Sequence, residues 1–228
     1  MGFWSVRGGG GRTANFVEGY VLKCDIKHYF DTVDHEVLLS ILRRKVNDEN
    51  VIDLIRKVLD NFESPIKGKG MPLGNYTSQF FANVYLNELD YFVKHTLKAK
   101  YYIRYVDDFV ILHKSKKVLE LWKKRIGDYL ECLRINLHPD KSDIIPLKNG
   151  VAFLGYRVFY HYKLLRKRNA RHFKAKLAKL LEQYENNEMR KDDLIQLLQG
   201  WFGYAEWANT YKFRQEILKL IERIEKDK

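Results

Sequence analysis

The chain has 228 residues, of which 46% are hydrophobic and 14% aromatic, and its formal net charge is +12 at pH 7. This apolar content is enough for one large core or two modest ones and excludes an intrinsically disordered chain. No apolar stretch has the length of a transmembrane helix, the N-terminus lacks the apolar segment of a secretory signal, and Cys24 and Cys132 lack metal-ligand spacing. These exclusions predict a cytoplasmic protein with no membrane partner.

The positive charge is concentrated in one part of the chain. Residues 144–181 contain no Asp or Glu, and their ten basic residues are Lys148, Arg157, Lys163, Arg166, Lys167, Arg168, Arg171, Lys174, Lys176 and Lys179. Such a concentration favours a surface that follows the phosphates of a nucleic acid. The alternative is a basic face that is only solvated.

Residues 1–17 read as irregular, with a glycine loop at 8–11, and the pattern after them predicts alternating strands and helices. The predicted elements are a strand at 20–26, a helix at 35–46 capped by Asp34, a helix at 51–59, a loop at 64–74 and a long helix to about Leu97 capped by Thr77 or Ser78. Residues 101–112 predict a hairpin, 118–133 a helix, and 143–145, 152–157 and 158–163 short strands. From Ala170 onward the periodicity predicts helices only, so a mixed part gives way to a helical part near residue 165.

Two adjacent carboxylates, Asp107 and Asp108, lie inside the apolar, aromatic hairpin, and Asp25 ends the apolar strand near the N-terminus. An exposed turn would explain the pair simply, but Tyr105, Val106 and Phe109 are poor turn formers. If the two strands are neighbours, the three carboxylates form an oxygen-rich site of the kind that suits Mg²⁺. Two such ions would support in-line phosphoryl or nucleotidyl transfer.

Five segments follow one another along the chain: Cys24-Asp25-Ile26-Lys27-His28-Tyr29-Phe30, Gly70-Met71-Pro72-Leu73-Gly74, Tyr105-Val106-Asp107-Asp108, Lys141 after Leu137-His138-Pro139, and Phe153-Leu154-Gly155-Tyr156. In composition and order these motifs resemble those of reverse transcriptases. The C-terminal part, with Gly200, Tyr204, Asn209 and Tyr211, is similar to a thumb of the group II intron type. The resemblance implies an α+β fold in which a polymerase palm, an antiparallel sheet with packed helices, precedes an all-helical thumb. Residues 1–19 would be a remnant of the fingers, 20–165 the palm and 166–228 the thumb.

The resemblance also implies roles for single residues. Asp25 and Asp107 would hold two Mg²⁺ ions, with Mn²⁺ as an alternative metal, and Asp108 would assist. Phe30 would be the steric gate against a ribose 2′-hydroxyl, Gln79 would contact the incoming nucleotide and template base, and Lys141 would lie near the triphosphate. Their structural alternatives are a core phenylalanine, a residue of the helix cap and a solvated lysine.

Binding of the nucleic acid is assigned to a second set of residues. Phe153, Leu154, Gly155 and Tyr156 would form the primer grip, with a core strand as the alternative or a coexisting role. The cations at the start of the thumb would bind phosphates, namely Arg166, Lys167, Arg168, Arg171 and Lys174. The implied partners are template RNA, primer or cDNA, and deoxynucleoside triphosphates.

The segment from Gly74 to Gln79 favours one subclass of the reverse transcriptases. Its Gly-x-x-x-Ser-Gln pattern is similar to that of reverse transcriptases from diversity-generating retroelements, which copy RNA with errors at adenines and work with a small basic helical accessory protein. The alternatives are a group II intron-type enzyme and a non-catalytic RNA-binding module derived from a polymerase. Only a short segment precedes Asp25, and within it Arg7 and the glycines resemble the end of the fingers. This predicts an N-terminally truncated copy and leaves open whether the chain polymerises by itself.

Overall fold

The structure, a computed structural model, describes residues 18–62, 64, 66–72 and 74–226. Within this described part the chain divides into two compact units, residues 18–147 and residues 148–226. Arg7, the glycine loop at 8–11 and Leu73 lie outside the described residues. Among the described helices, none is both long and apolar enough to cross a membrane.

The first unit combines four strands with the helices that connect them. Its elements are β1 (Tyr20–Cys24), α1 (Tyr29–Thr32), α2 (His35–Arg43), α3 (Glu49–Asp60), α4 (Tyr76–Tyr91), a π-helical turn (Phe92–Thr96), β2 (Tyr101–Tyr105), β3 (Asp108–His113), α5 (Lys116–Cys132) and β4 (Asp143–Pro146). Asp34 caps α2 as predicted, since its carboxylate accepts a hydrogen bond from the Val37 N–H.

The four strands form one antiparallel sheet in the order β2-β3-β1-β4. The first strand therefore lies between the hairpin and β4, with Cys24 paired to Phe109 and Lys23 to Asp143. Fully buried Leu22, Cys24 and Phe109 pack with the apolar faces of α2, α4 and α5 in one continuous core. Burial of this sheet face against helices fixes the register, because a slip of one residue would turn the apolar side chains outward.

The second unit begins with a small antiparallel sheet and continues with three helices. Its elements are β5 (Val151–Phe153), β6 (Tyr156–Val158), β7 (Lys163–Leu165), α6 (Lys167–Glu185), α7 (Lys191–Glu206) and α8 (Tyr211–Lys226). Aromatic rings from the three helices meet in its core, where the Phe173 and Trp201 rings stack with centroids 3.7 Å apart and Phe213 meets Trp201 edge-on at 4.7 Å.

Several predicted boundaries are wrong. The long helix is preceded by Asn75, so both predicted caps, Thr77 and Ser78, lie inside it, as does Gln79; Ser78 is buried. The strands predicted at 152–157 and 158–163 are each interrupted by a turn, and the first helix of the second unit begins at Lys167 rather than near Ala170. The predicted α+β class and the antiparallel sheet with packed helices are confirmed, whereas the predicted boundary at residue 165 stays a prediction.

Candidate active site

The three predicted carboxylates come to the same end of the sheet. Asp107 lies in the two-residue turn between β2 and β3, where Tyr105 pairs with Asp108. Since Cys24 pairs with Phe109, the residues next to this pair also lie at this end: Asp25 follows the last residue of β1, and Asp108 is the first residue of β3. Asp25 and Asp108 side chains are 15% and 29% exposed. Burial raises the pKa of Asp107, and the negative charges of Asp25 and Asp108 raise it further.

Two lysines offset this negative charge. The Lys141 ammonium lies 3.3 Å from the Asp25 carboxylate, and Lys23, from the neighbouring strand, lies 3.5 Å from Oδ1 of Asp108. That Oδ1 atom is buried and accepts no hydrogen bond from the described residues, so the Lys23 ammonium stabilises its charge through electrostatic attraction alone. Lys141 reaches Asp25 because the chain around Leu137 runs beside Ile26, with the His138 N–H donating to the Asp25 carbonyl oxygen at 2.8 Å.

The carboxylates fit Mg²⁺ through two oxygen donors rather than through a closed protein cage. Among the described residues, no group of three or more His, Cys, Asp or Glu side chains has the arrangement of a metal site. Mg²⁺ in phosphate-handling sites takes one or two protein carboxylates and completes its shell with water and substrate phosphates. Asp25 and Asp107 would provide that donor set, and a bound divalent cation would offset the repulsion from Asp25 and Asp108 that adds to the effect of burial on the pKa of Asp107.

The turn that carries Asp107 is strained and braced. Val106 has φ +54°, a left-handed conformation that is unusual for a β-branched residue. The Arg104 guanidinium donates to the Val106 carbonyl oxygen at 2.9 Å and also binds the carboxylate of Asp90 in α4 through two hydrogen bonds of 2.5 and 2.7 Å. Burial disfavours the Arg104 charge, but the hydrogen bonds and charge of Asp90 outweigh it and raise the Arg104 pKa. The sequence analysis missed this pair, although an arginine inside the aromatic run of β2 is a signal for it.

The predicted gate residue lies in a second braced segment. Phe30 is partly buried, packs against the core and meets the Tyr29 ring edge-on at 5.6 Å. Its carbonyl oxygen accepts the Met71 N–H at 2.7 Å, which joins it to the loop before α4. Buried His35, also missed by the sequence analysis, ties the same loop to α2 through a 2.7 Å hydrogen bond between Nε2 and the Gly70 carbonyl oxygen.

The remaining predicted nucleotide contacts differ in their surroundings. Gln79 is exposed in the first turn of α4, and its side chain has no hydrogen bond among those described. Lys141 is 55% exposed although it pairs with Asp25. An exposed glutamine and a half-exposed cation can both meet a ligand, and the contact of either with a nucleotide stays a prediction.

The predicted primer-grip segment forms a tight hairpin inside the second unit. Phe153 pairs with Tyr156, and both central residues of the turn have positive φ, +47° at Leu154 and +84° at Gly155. A Cβ atom at Gly155 would lie 2.5 Å from the hydroxyl oxygen of Tyr204 in α7. The Tyr156 hydroxyl donates to the Tyr204 carbonyl oxygen at 2.9 Å, so the hairpin is fastened to the helix. Leu154, at the tip, is 44% exposed.

The basic stretch, residues 144–181, presents its cations to solvent. All ten of its Lys and Arg residues, including Arg166, Lys167, Arg168, Arg171 and Lys174, are exposed. Among the described residues, none of the ten forms an ion pair with a carboxylate, whereas arginines elsewhere, such as Arg104 and Arg134, do. Lys174 lies 5.1 Å from the centre of the Phe213 ring and Lys163 lies 5.6 Å from that of Trp207. The charge that the sequence concentrates here is therefore open to an external anion.

Known proteins share both the fold and the sequence pattern of this chain. The structure matches that of apo telomerase from Candida tropicalis with a TM-score of 0.54 and 14% sequence identity, over 90% of this chain and 46% of the telomerase chain. The family model "Reverse transcriptase (RNA-dependent DNA polymerase)" matches residues 16–158, which is more than half of the chain. The chain therefore belongs to the reverse transcriptase family, as its motifs predict.

Two curated relatives show how this chain compares with longer proteins. It is 27% identical to protein YkfC of Escherichia coli K12, in a match that covers 71% of this chain and 55% of YkfC. It is 39% identical over 91 residues to the group II intron-encoded protein LtrA of Lactococcus lactis, which covers 38% of this chain and 14% of LtrA. The chain thus spans about half, or less, of the length of these relatives.

Proposed function

We propose that this protein is an RNA-directed DNA polymerase that adds deoxynucleotides to a primer on an RNA template. The observation that carries the proposal is the convergence of Asp25 and Asp107, one from the end of β1 and one from a braced turn, at one end of an antiparallel sheet. Family membership supports the reaction type, because the matched region, residues 16–158, contains both carboxylates.

In this reaction the primer 3′ oxygen bonds to the α-phosphorus of a nucleoside triphosphate, and pyrophosphate leaves. Asp25 and Asp107 would hold two Mg²⁺ ions, with Mn²⁺ as an alternative, which when bound supply charge stabilisation at the reacting phosphates. The Lys141 ammonium, 3.3 Å from the Asp25 carboxylate, offers a cation to a phosphate beside it. Arg104 fixes the turn from which Asp107 projects, and Phe30 would limit the space for a 2′-hydroxyl.

The template and primer would follow the exposed cations of the second unit. Ten exposed Lys and Arg residues, which have no carboxylate partner in the part of the chain that the structure describes, give a surface on which nucleic-acid binding releases counterions. Because an RNA–DNA hybrid is A-like, we expect recognition through shape and backbone rather than through sequence. The binding constant should therefore fall steeply between 50 and 200 mM salt, and a constant that hardly changes would contradict this part of the proposal.

Primer extension on an RNA template with Mg²⁺ tests the proposed activity. We expect the wild-type chain to extend the primer and Asp107→Asn to reduce extension to background, since the amide removes a metal-binding charge. Asp143→Asn is the matched control, because Asp143 is an exposed carboxylate on β4 of the same sheet and should leave extension unchanged. No extension by the wild type, with RNA binding retained, would refute polymerisation by this chain and favour a binding module.

Within this class we propose error-prone synthesis of the kind found in diversity-generating retroelements, supported by the segment Gly74–Gln79. A small basic accessory protein would be a further partner, and the cytoplasm the location. The match to LtrA favours a second candidate, an enzyme of the group II intron type. Sequencing of the cDNA separates the two, because only the first predicts errors concentrated opposite template adenines.

A further inference from the structure

A second group of cations lies at the end of the first unit's sheet that is remote from the carboxylates. Tyr101, the first residue of β2, pairs with Leu112 near the end of β3, so residues just before Tyr101 and just after His113 lie at this remote end. Asp107 and Asp108 lie at the other end of the same two strands. The six residues of β3 separate the two ends by about 17 Å.

Five exposed lysines define this region, which we name the distal lysine surface: Lys94, Lys98, Lys100, Lys114 and Lys117. None of the five has a carboxylate partner among the described residues. Residues 91–106 contain no Asp or Glu. Two of the acidic residues that flank the surface form ion pairs with other residues: Asp90 binds Arg104, and Glu120 lies 3.4 Å from Lys116. A third, Glu18, precedes β1.

The local backbone turns these lysines outward. Val93, Leu97 and Ala99 are buried, so the residues between them face solvent. The π-helical turn Phe92–Thr96 ends with hydrogen bonds from the Leu97 N–H to the Phe92 carbonyl oxygen and from the Ala99 N–H to that of Val93, both 3.0 Å. π-helical turns are rare and are found frequently at functional sites.

Lys98 occupies a backbone position that suits glycine better. Its φ is +54°, and it lies where helices commonly end with a left-handed residue that is usually Gly. A residue with a Cβ atom is disfavoured in this conformation, so the chain carries a lysine here at a cost in stability. A cation held in an unfavourable conformation, on a surface without acids, points to a role in binding.

Aromatic rings accompany the cations. Tyr91 is 64% exposed and lies 4.3 Å from the His95 ring, and Tyr101 is 40% exposed with the Lys100 ammonium 5.4 Å from its ring centre. These tyrosines are the large exposed hydrophobic residues of segment 91–101. A docked protein would require an apolar patch with few charges at its centre, whereas cations interleaved with exposed rings suit phosphates and bases.

We propose that the distal lysine surface binds the phosphate backbone of structured RNA that lies outside the segment being copied. Its distance from Asp107 excludes contact with the reacting nucleotide. The surface would hold the RNA by charge and shape, with Tyr91 and Tyr101 available to unpaired bases. This binding does not require that the chain be an active polymerase, so it can fail or succeed independently of the proposed reaction.

The test uses a fluorescent 30-nucleotide RNA stem-loop, the full chain and anisotropy between 50 and 200 mM KCl. Lys94→Glu/Lys98→Glu/Lys100→Glu should weaken binding by about tenfold or more and reduce the slope of log K against log salt by about 2 to 3. Lys45→Glu/Lys57→Glu/Lys219→Glu, three exposed lysines elsewhere with the same change of charge, is the matched control and should stay within about threefold of wild type.

Lys98→Gly separates binding from folding. It should raise the midpoint of urea unfolding, because glycine removes the left-handed strain, yet lower RNA affinity and reduce the salt slope by about 1. Unchanged affinity of both this variant and the triple variant would overturn the proposal. Displacement of the RNA by poly-glutamate as effectively as by unlabelled RNA, at equal charge, would also overturn it in favour of an acidic protein partner.

Discussion

The pair formed by Arg104 and Asp90 can be tested by removing its carboxylate. The Arg104 side chain is only 10% exposed, and Asp90, 31% exposed, is its carboxylate partner. Asp90 also accepts a 2.6 Å hydrogen bond from the Tyr102 hydroxyl. Asp90→Ala therefore removes the carboxylate acceptor of a largely buried guanidinium and of a partly buried tyrosine hydroxyl.

The expected loss of stability follows from these contacts. Breaking a buried ion pair by removing one partner costs about 3 to 5 kcal/mol, and the partial exposure of Asp90 places this case near 3 kcal/mol. A loss of that size leaves a typical domain folded, since unfolding free energies are about 5 to 15 kcal/mol. In urea, where unfolding free energies fall by about 1 to 3 kcal/mol per molar, the midpoint should drop by about 1 to 3 M.

Urea unfolding followed by tryptophan fluorescence measures this change. Glu49→Ala is the control, because its partner Arg43 is exposed and such a pair contributes about 0 to 1 kcal/mol. If Asp90→Ala lost no more stability than Glu49→Ala, the brace would not exist as described. Primer extension adds a second readout: since Arg104 also holds the carbonyl oxygen of Val106, extension should fall further than in a variant of equal stability altered elsewhere.

Three further predictions concern single side chains. Gly155→Ala should lower the free energy of unfolding in urea by about 1 to 3 kcal/mol, because the new Cβ would lie 2.5 Å from a tyrosine hydroxyl. Gly203→Ala is the control and should not destabilise the protein, because a Cβ there meets nothing within 4 Å. Equal effects of the two substitutions would contradict the close approach at Gly155. Burial opposes the charge of Asp34, but the hydrogen bond from an arginine prevails and lowers the pKa of Asp34. Asp34→Asn should therefore be less stable than the wild type at pH 7, and this difference in unfolding free energy should vanish as the pH falls below about 4 through the folded-state pKa. A difference that does not depend on pH would refute this account. Burial raises the pKa of Cys24 to about 12, so a thiol reagent at pH 8 should label exposed Cys132 in the native chain and both cysteines only after unfolding.

The carboxylate site could be predicted from sequence because strand neighbours and hairpin position decide it. Asp25 and Asp107 each lie at the end of a strongly apolar strand, and placing those strands side by side is enough to bring them together. The braces could not be predicted in this way. Asp90 and Arg104 belong to different elements, and their contact depends on how α4 packs on β2, which no local pattern encodes.

Tight turns could not be predicted from the sequence either, for a physical reason that also bears on function. Sequence signals for tight turns rest on Gly, Asn and Asp at positive φ, but Val106 and Leu154 adopt φ +54° and +47° without belonging to that set. Each costs about 1 to 2 kcal/mol relative to an unstrained residue and must be held by its surroundings. At Val106 the holding contact is the Arg104 guanidinium, and at Leu154 the hairpin is fastened through Tyr156. Both strained turns lie in segments proposed to contact the nucleic acid. Backbone strain is found often at such functional sites, where the position of a side chain matters more than local stability.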